Sequence, residues 1–254
     1  MRWLSPSIHA KRWLGLISIL ILTVATVCLI LTSRELYAAI RTQDVNVTAQ
    51  KQVGSPITLE IISVTSSNPK EPVFSYDVIN TGSKTIKAYA IRNDVTVGSD
   101  VNSGVTYSYM HEPSAFLYPG TRRLESFGSV TYGGDVSKVV LSVDYVEFED
   151  GATWGDDIFK ISEKFAGQRE GYRAAIKKLR ENFKSKGRGA LLSALENDFT
   201  DLYPQADKPQ QWKDGFNNGL KIARSRLKYI HKNGGVSALE YELEKPLEET
   251  PKEQ

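Results

Sequence analysis

From residue 57 onward the hydrophobic period of this chain changes once, at Trp154. From residue 57 to 148 apolar side chains recur with a period of two, the signature of half-buried strands. The segments are ITLEIISV (57–64), PVFSYDVI (72–79), KTIKAYAI (84–91), GVTYSYMH (104–111), RRLESFGSV (122–130) and KVVLSVDYVEF (138–148). In the second of these, Phe74, Tyr76 and Val78 share one face, and Ser75 and Asp77 share the other. Gly- and Pro-bearing connections separate the segments, and Asn80-Thr81-Gly82-Ser83 supplies the residues a tight turn needs. No long helical pattern interrupts them. About seven short strands in about 100 residues predict an antiparallel β-sandwich over 57–155.

After Trp154 the period becomes helical. Ile158, Ile161, Phe165, Tyr172, Ile176, Leu179 and Phe183 fall at spacings of three, four or seven. Gly167 and Gly171 lie within that stripe, where either a bend or close packing would account for them. Trp212, Phe216, Leu220, Ala223, Leu227 and Ile230 form a second stripe, ended by Gly234-Gly235. The helical region spans 156–244. Residues 245–254 are charged, proline-bearing and expected to be disordered.

The run WLGLISILILTVATVCLIL (13–31) carries no charge. At the helical rise it spans roughly 28 Å, close to a bilayer core. Arg34 and Glu35 follow it, and no good cleavage site is present. The expectation is an uncleaved signal anchor at 13–32 after a cytoplasmic segment, 1–12, with Lys11 and Arg12 abutting the membrane. A polar linker (33–56) then leads to the domains, which would lie outside the cytoplasm, periplasmic or extracellular. The only cysteine, Cys28, lies in the apolar run, which excludes an internal disulfide and a cysteine-based zinc cluster.

The stretch PVFSYDVINTGSKTIKAYAI resembles a pattern in bacterial envelope proteins with immunoglobulin-like sandwich modules: an aromatic-rich strand, an Asn-Thr-Gly turn and a Lys-x-Ile strand. VDYVEFEDGATWGDD (143–157) resembles the end of such a module in uncharacterised exported proteins. The resemblance covers roughly residues 55–157 and lacks the disulfide pair of antibody domains. It implies an extracytoplasmic binding or spacer module and carries no catalytic motif. The expected fold class is therefore an N-terminal transmembrane helix, then an all-β immunoglobulin-like sandwich, followed by an α-helical C-terminal region.

Six acids crowd 143–157: Asp144, Glu147, Glu149, Asp150, Asp156 and Asp157. Calcium or a carboxylate-dependent hydrolase using Asp150, Asp156 and Asp157 is the alternative function they suggest. Each also has a structural role. Asp144 and Glu147 have opposite strand parity and so face opposite ways. Asp150-Gly151 marks a turn, Asp156 and Asp157 fit a helix start, and Trp154 suits the joint between sandwich and helices. The expected structural joint is Asp150, Gly151, Trp154 and Asp156, with no catalytic, cofactor or metal residue assigned. His111-Glu112 reads as an exposed loop. Within 169–188 eight cations face two acids. Arg169, Arg173, Lys177, Lys178, Arg180 and Lys184 form the candidate interaction patch, either a solvated face or a surface for anionic lipid or polymer. An extracytoplasmic location argues against nucleic acid. The function expected is a membrane-anchored, non-enzymatic module that binds or organises envelope proteins or anionic envelope polymers, without a cofactor.

Overall fold

A computed structural model of the chain describes residues 45–65, 70–128, 132–197, 199 and 201–245. The strands are β1 (Asn46–Ala49), β2 (Ile57–Thr65), β3 (Val73–Asn80), β4 (Ile86–Val97), β5 (Asp100–Tyr109), β6 (Arg122–Phe127), β7 (Val136–Phe148) and β8 (Thr153–Trp154). A 3₁₀ turn, Pro113–Ala115, follows β5. Among the described residues two long helices, α1 (Ile161–Glu196) and α2 (Gln210–Glu244), follow the strands.

β2, β3 and β6 form one antiparallel sheet, in the order β2-β3-β6. The larger sheet runs β1-β7-β4-β5, with β8 pairing the end of β7. Phe74, Tyr76 and Val78, alternating in sequence, are all buried between the sheets, against Tyr89, Ile91, Leu141 and Val146 of the larger one. Asn80 fixes the turn after β3: its amide donates to the Lys84 and Leu117 carbonyls, and its oxygen accepts from the Gly82 N–H at 3.0 Å.

The expected all-β immunoglobulin-like sandwich behind a transmembrane helix does not hold. The larger sheet is mixed, because β1 pairs with β7 in parallel. Its outer face is not solvated either. Ala88, Ala90 and Tyr145 there pack against Ile161 and Phe165 of α1, making a third, helical layer. The architecture is two packed sheets plus a helical pair. The segment 13–32 lies outside the described residues, as do 1–12 and the tail beyond Lys245. Among the described residues no helix is long and apolar enough to cross a membrane. Residues 46–49, within the stretch read as linker, are a strand. Gln52 extends that pairing: its side chain donates to the Val143 carbonyl at 3.0 Å and accepts from the Val143 N–H at 2.7 Å.

α1 and α2 pack backbone to backbone. A Cβ on Gly167 or Gly171 would collide with the Trp212 or Phe216 carbonyl, and one on Gly215 or Gly219 with the Lys164 or Gln168 carbonyl. The two helices repeat one pattern. Gly167, Gly171, Ala175, Leu179, Gly187, Leu191 and Leu195 correspond to Gly215, Gly219, Ala223, Leu227, Gly235, Leu239 and Leu243 at a constant offset of 48 residues (215 minus 167). All except Gly187 and Gly235 are buried. Those two carry nearly identical non-helical dihedrals, φ 74° and ψ −168° against φ 70° and ψ −168°, which only glycine tolerates readily. Each helix breaks there, and its shorter second half returns on the pair. The spacing of four places the small residues on a single ridge.

Candidate functional site

The chain from Val143 to Phe159 positions α1 on the sheet. The β4–β7 register runs Ala90↔Tyr145 and Ile91↔Val143, so Asp144 is the extra residue of a β-bulge. The bulge resets the parity. Asp144 and Glu147, expected on opposite faces, both reach toward α1. The Asp144 carboxylate accepts from the Ile158 and Phe159 N–H groups, at 3.0 and 3.3 Å. Burial holds its pKa above the ordinary aspartate value, and those two donors only partly offset this. Glu147 is buried and pairs with Arg169, whose Nη1 lies 2.9 Å from both carboxylate oxygens. Burial disfavours the Arg169 charge, but Glu147 and Tyr109 outweigh it and raise the arginine pKa.

Beyond that ion pair a cavity of about 470 Å³ opens between the sheet and the helical pair. The sheet side supplies Tyr109 at the end of β5, then His111, Glu112 and the 3₁₀ turn. α1 supplies Arg169, Tyr172, Arg173, Ile176 and Arg180, one helical face at spacings of three and four. α2 supplies Arg226 and Glu242, with Lys245 just beyond its end. The His111 ring stacks on Tyr172 at 5.2 Å and meets Tyr109 edge-on at 4.8 Å. Asn218 donates to the Gln168 oxygen at 3.0 Å, which leaves the Gln168 amide nitrogen to donate to His111 Nε2 at 2.9 Å. His111 Nε2 is thus placed as the acceptor from the Gln168 amide. His111 is not the exposed loop residue its sequence context suggests.

Arg226 bridges Glu112 at 2.9 Å and Glu242 at 2.6 Å, tying the loop after β5 to the returning half of α2. Arg180 donates from Nη2 to the Lys245 carbonyl. The Nε atoms of Arg169, Arg180 and Arg226 are buried and make no hydrogen bond to any described residue. Burial raises the pKa of Tyr109 and of Tyr172, so both present neutral hydroxyls.

The sequence-derived patch divides. Arg169, Arg173 and Arg180 line the cavity, whereas Lys177 and Lys184 are exposed elsewhere and Lys178 pairs with Asp201. The joint residues also separate. Asp150 accepts from Lys84 at 2.7 Å and from the Ala152 N–H at 3.0 Å, and Lys84 holds its pKa below the ordinary value. Gly151, at φ 83°, makes the turn. Trp154 pairs with Val146 and packs on the core between the sheets. Asp156 is exposed, while Asp157 caps α1 by accepting from the Ile161 N–H at 2.7 Å. Asp150, Asp156 and Asp157 therefore have separate surroundings. Among the described residues no group of three or more His, Cys, Asp or Glu side chains is placed to hold a metal ion. Tyr109, His111, Glu112, Tyr172, Arg226 and Glu242 were not selected from sequence as a site. The basic face of α1 was its one visible signal.

No family model matches the chain, and no curated protein matches it. Among solved structures, a hypothetical protein from Peptoclostridium difficile 630 is 11% identical, with 43% of this chain and 90% of that one covered and a TM-score of 0.29. The trimeric lipoprotein SadB of Salmonella enterica is 13% identical, with 54% and 79% covered and a TM-score of 0.28. At such scores neither likeness assigns a fold family or a function.

Proposed function

We propose that the protein is a non-enzymatic binding module that holds its ligand in the cavity between the larger sheet and the helical pair. The observation that carries this reading is convergence: five cations and two tyrosines from three parts of the chain face one space of about 470 Å³. That volume lies in the range of small-molecule sites, which are typically about 300 to 1,000 Å³. The cavity's polar groups are four arginines, Lys245, His111, Ser114, the tyrosine hydroxyls kept neutral by burial, and Glu112 and Glu242, both of which are engaged by Arg226, a set suited to holding a group rather than activating a nucleophile. A location outside the cytoplasm is part of the proposal and is supported by the apolar run 13–31 alone. Binding of anionic polymer along the helix surface is less well supported, since Lys178 is already paired with Asp201.

A melting screen of the full chain against small molecules tests the reading. Compounds that raise the melting temperature should lose the effect in Ser114→Trp, which blocks the mouth from an exposed position. They should also be recovered chemically unchanged. Shifts that survive the substitution, or conversion of the bound compound, would contradict it.

A further inference from the structure

The cavity also carries information on what it takes. Its five cations are Arg169, Arg173, Arg180, Arg226 and Lys245. Four carboxylates stand against them: Glu147 on Arg169, Glu170 at 3.8 Å from Arg173, Glu112 on Arg226, and Glu242 shared between Arg226 at 2.6 Å and Lys245 at 2.5 Å. Among the described residues this leaves one positive charge over. It localises at Arg180, which has no carboxylate partner among the described residues and whose buried Nε makes no hydrogen bond to any of them. Tyr172, Tyr109, the His111 ring and Ile176 line the same cavity and give it apolar and aromatic walls.

The internal repeat supplies a comparison within the same chain. Positions shared by the two helices are packing positions. At the same offset, Arg169, Tyr172, Ile176 and Arg180 correspond to Asn217, Leu220, Arg224 and Lys228. Lys228 has a counter-ion, Glu196 at 2.6 Å, and Arg224 donates to the Leu195 carbonyl at 3.2 Å. The face of α1 toward the sheet therefore departs from the repeat where it lines the cavity, and packing the helices does not require its arginine-tyrosine set.

Resting on the binding reading above, we propose that the cavity binds a small monocarboxylate with an apolar, preferably aromatic, body. Arg180 receives the carboxylate on its guanidinium, and the tyrosine and histidine walls take the body. A single uncompensated charge favours a monoanion over phosphate, and the guanidinium matches a carboxylate in geometry.

Calorimetric titration of the full chain with phenylacetate tests this, with 2-phenylethanol as the neutral counterpart and inorganic phosphate as the multiply charged one. Phenylacetate should bind at one site per chain, about tenfold or more tighter than either, the scale of a charge-assisted hydrogen bond. Arg180→Gln should weaken it by about tenfold, and Arg180→Lys by less. Lys221→Gln, the exposed repeat counterpart of Arg173, should leave it unchanged. Equal binding of 2-phenylethanol, tighter binding of phosphate, or unchanged affinity in an Arg180→Gln protein that melts like the parent would overturn the proposal. If phenylacetate fails to bind while other compounds give shifts sensitive to Ser114→Trp, the ligand class is wrong and the cavity reading stands. If no compound gives such a shift, both are wrong.

Discussion

At the scale of single residues, glycines with opposite roles sit on the same helix. Gly171 is small because the Phe216 backbone occupies the space a side chain would need, whereas Gly189 has open space around it. Gly171→Ala should therefore destabilise the protein by about 3 kcal/mol, an overpacking cost that exceeds the gain in helix propensity. Gly189→Ala should stabilise it by about 0.5 to 1 kcal/mol. Urea unfolding of the two variants measures both, and a loss in each would show that Gly189 is also a packing position. Asp144 gives a pH prediction. Its folded pKa is raised, so on raising the pH the unfolded chain ionises there first. Its contribution is then greatest at low pH and declines from the ordinary aspartate value up to its own raised one. Asp144→Asn should flatten this fall in unfolding free energy, and an unchanged slope would contradict the assignment. The sequence misled here for a physical reason. Strand parity holds only while pairing is regular, and the bulge at Asp144 brings two acids to one side that alternation sends to opposite sides.

At the scale of elements, the strands were legible because each keeps one apolar face. β1 was not, because four residues carry little pattern and their partner is the first half of a distant strand. The stripe on α1 was legible as apolar, but not as double. Ile161 and Phe165 serve the sheet, while Ile176 and Leu179 serve α2. The repeat was present in the sequence all along, as glycines at 167, 171 and 187 and again at 215, 219 and 235. Taken singly, the glycines look like interruptions. Taken at their offset, they describe two equivalent broken helices. Equivalence has an energetic consequence: Leu191 and Leu239 are both fully buried at corresponding positions. Leu191→Ala and Leu239→Ala should each cost about 2 to 5 kcal/mol and should agree within about 1 kcal/mol. A large cost for only one, by denaturant unfolding, would mean that the halves pack differently despite their common pattern.

At the scale of the whole molecule, the cavity exists only because the loop after β5 meets two helices that begin far later in the chain, at Ile161 and Gln210. Local patterning could mark the basic face of α1. It could not supply Tyr109, His111 or Glu112, whose relation to that face is set by the Phe165 contact with the sheet, the Asp144 bulge and the Arg226 bridge. The account's central claim is that this space, and not the helix surface or the acidic loop at 150–157, holds the ligand. The position of a bound molecule tests it most directly, in a crystal structure of the full chain grown with phenylacetate. The account predicts one molecule between Tyr172 and the loop after β5, its carboxylate within hydrogen-bonding distance of Arg180. Phenylacetate bound on the outer helix surface, with this cavity empty, would contradict it.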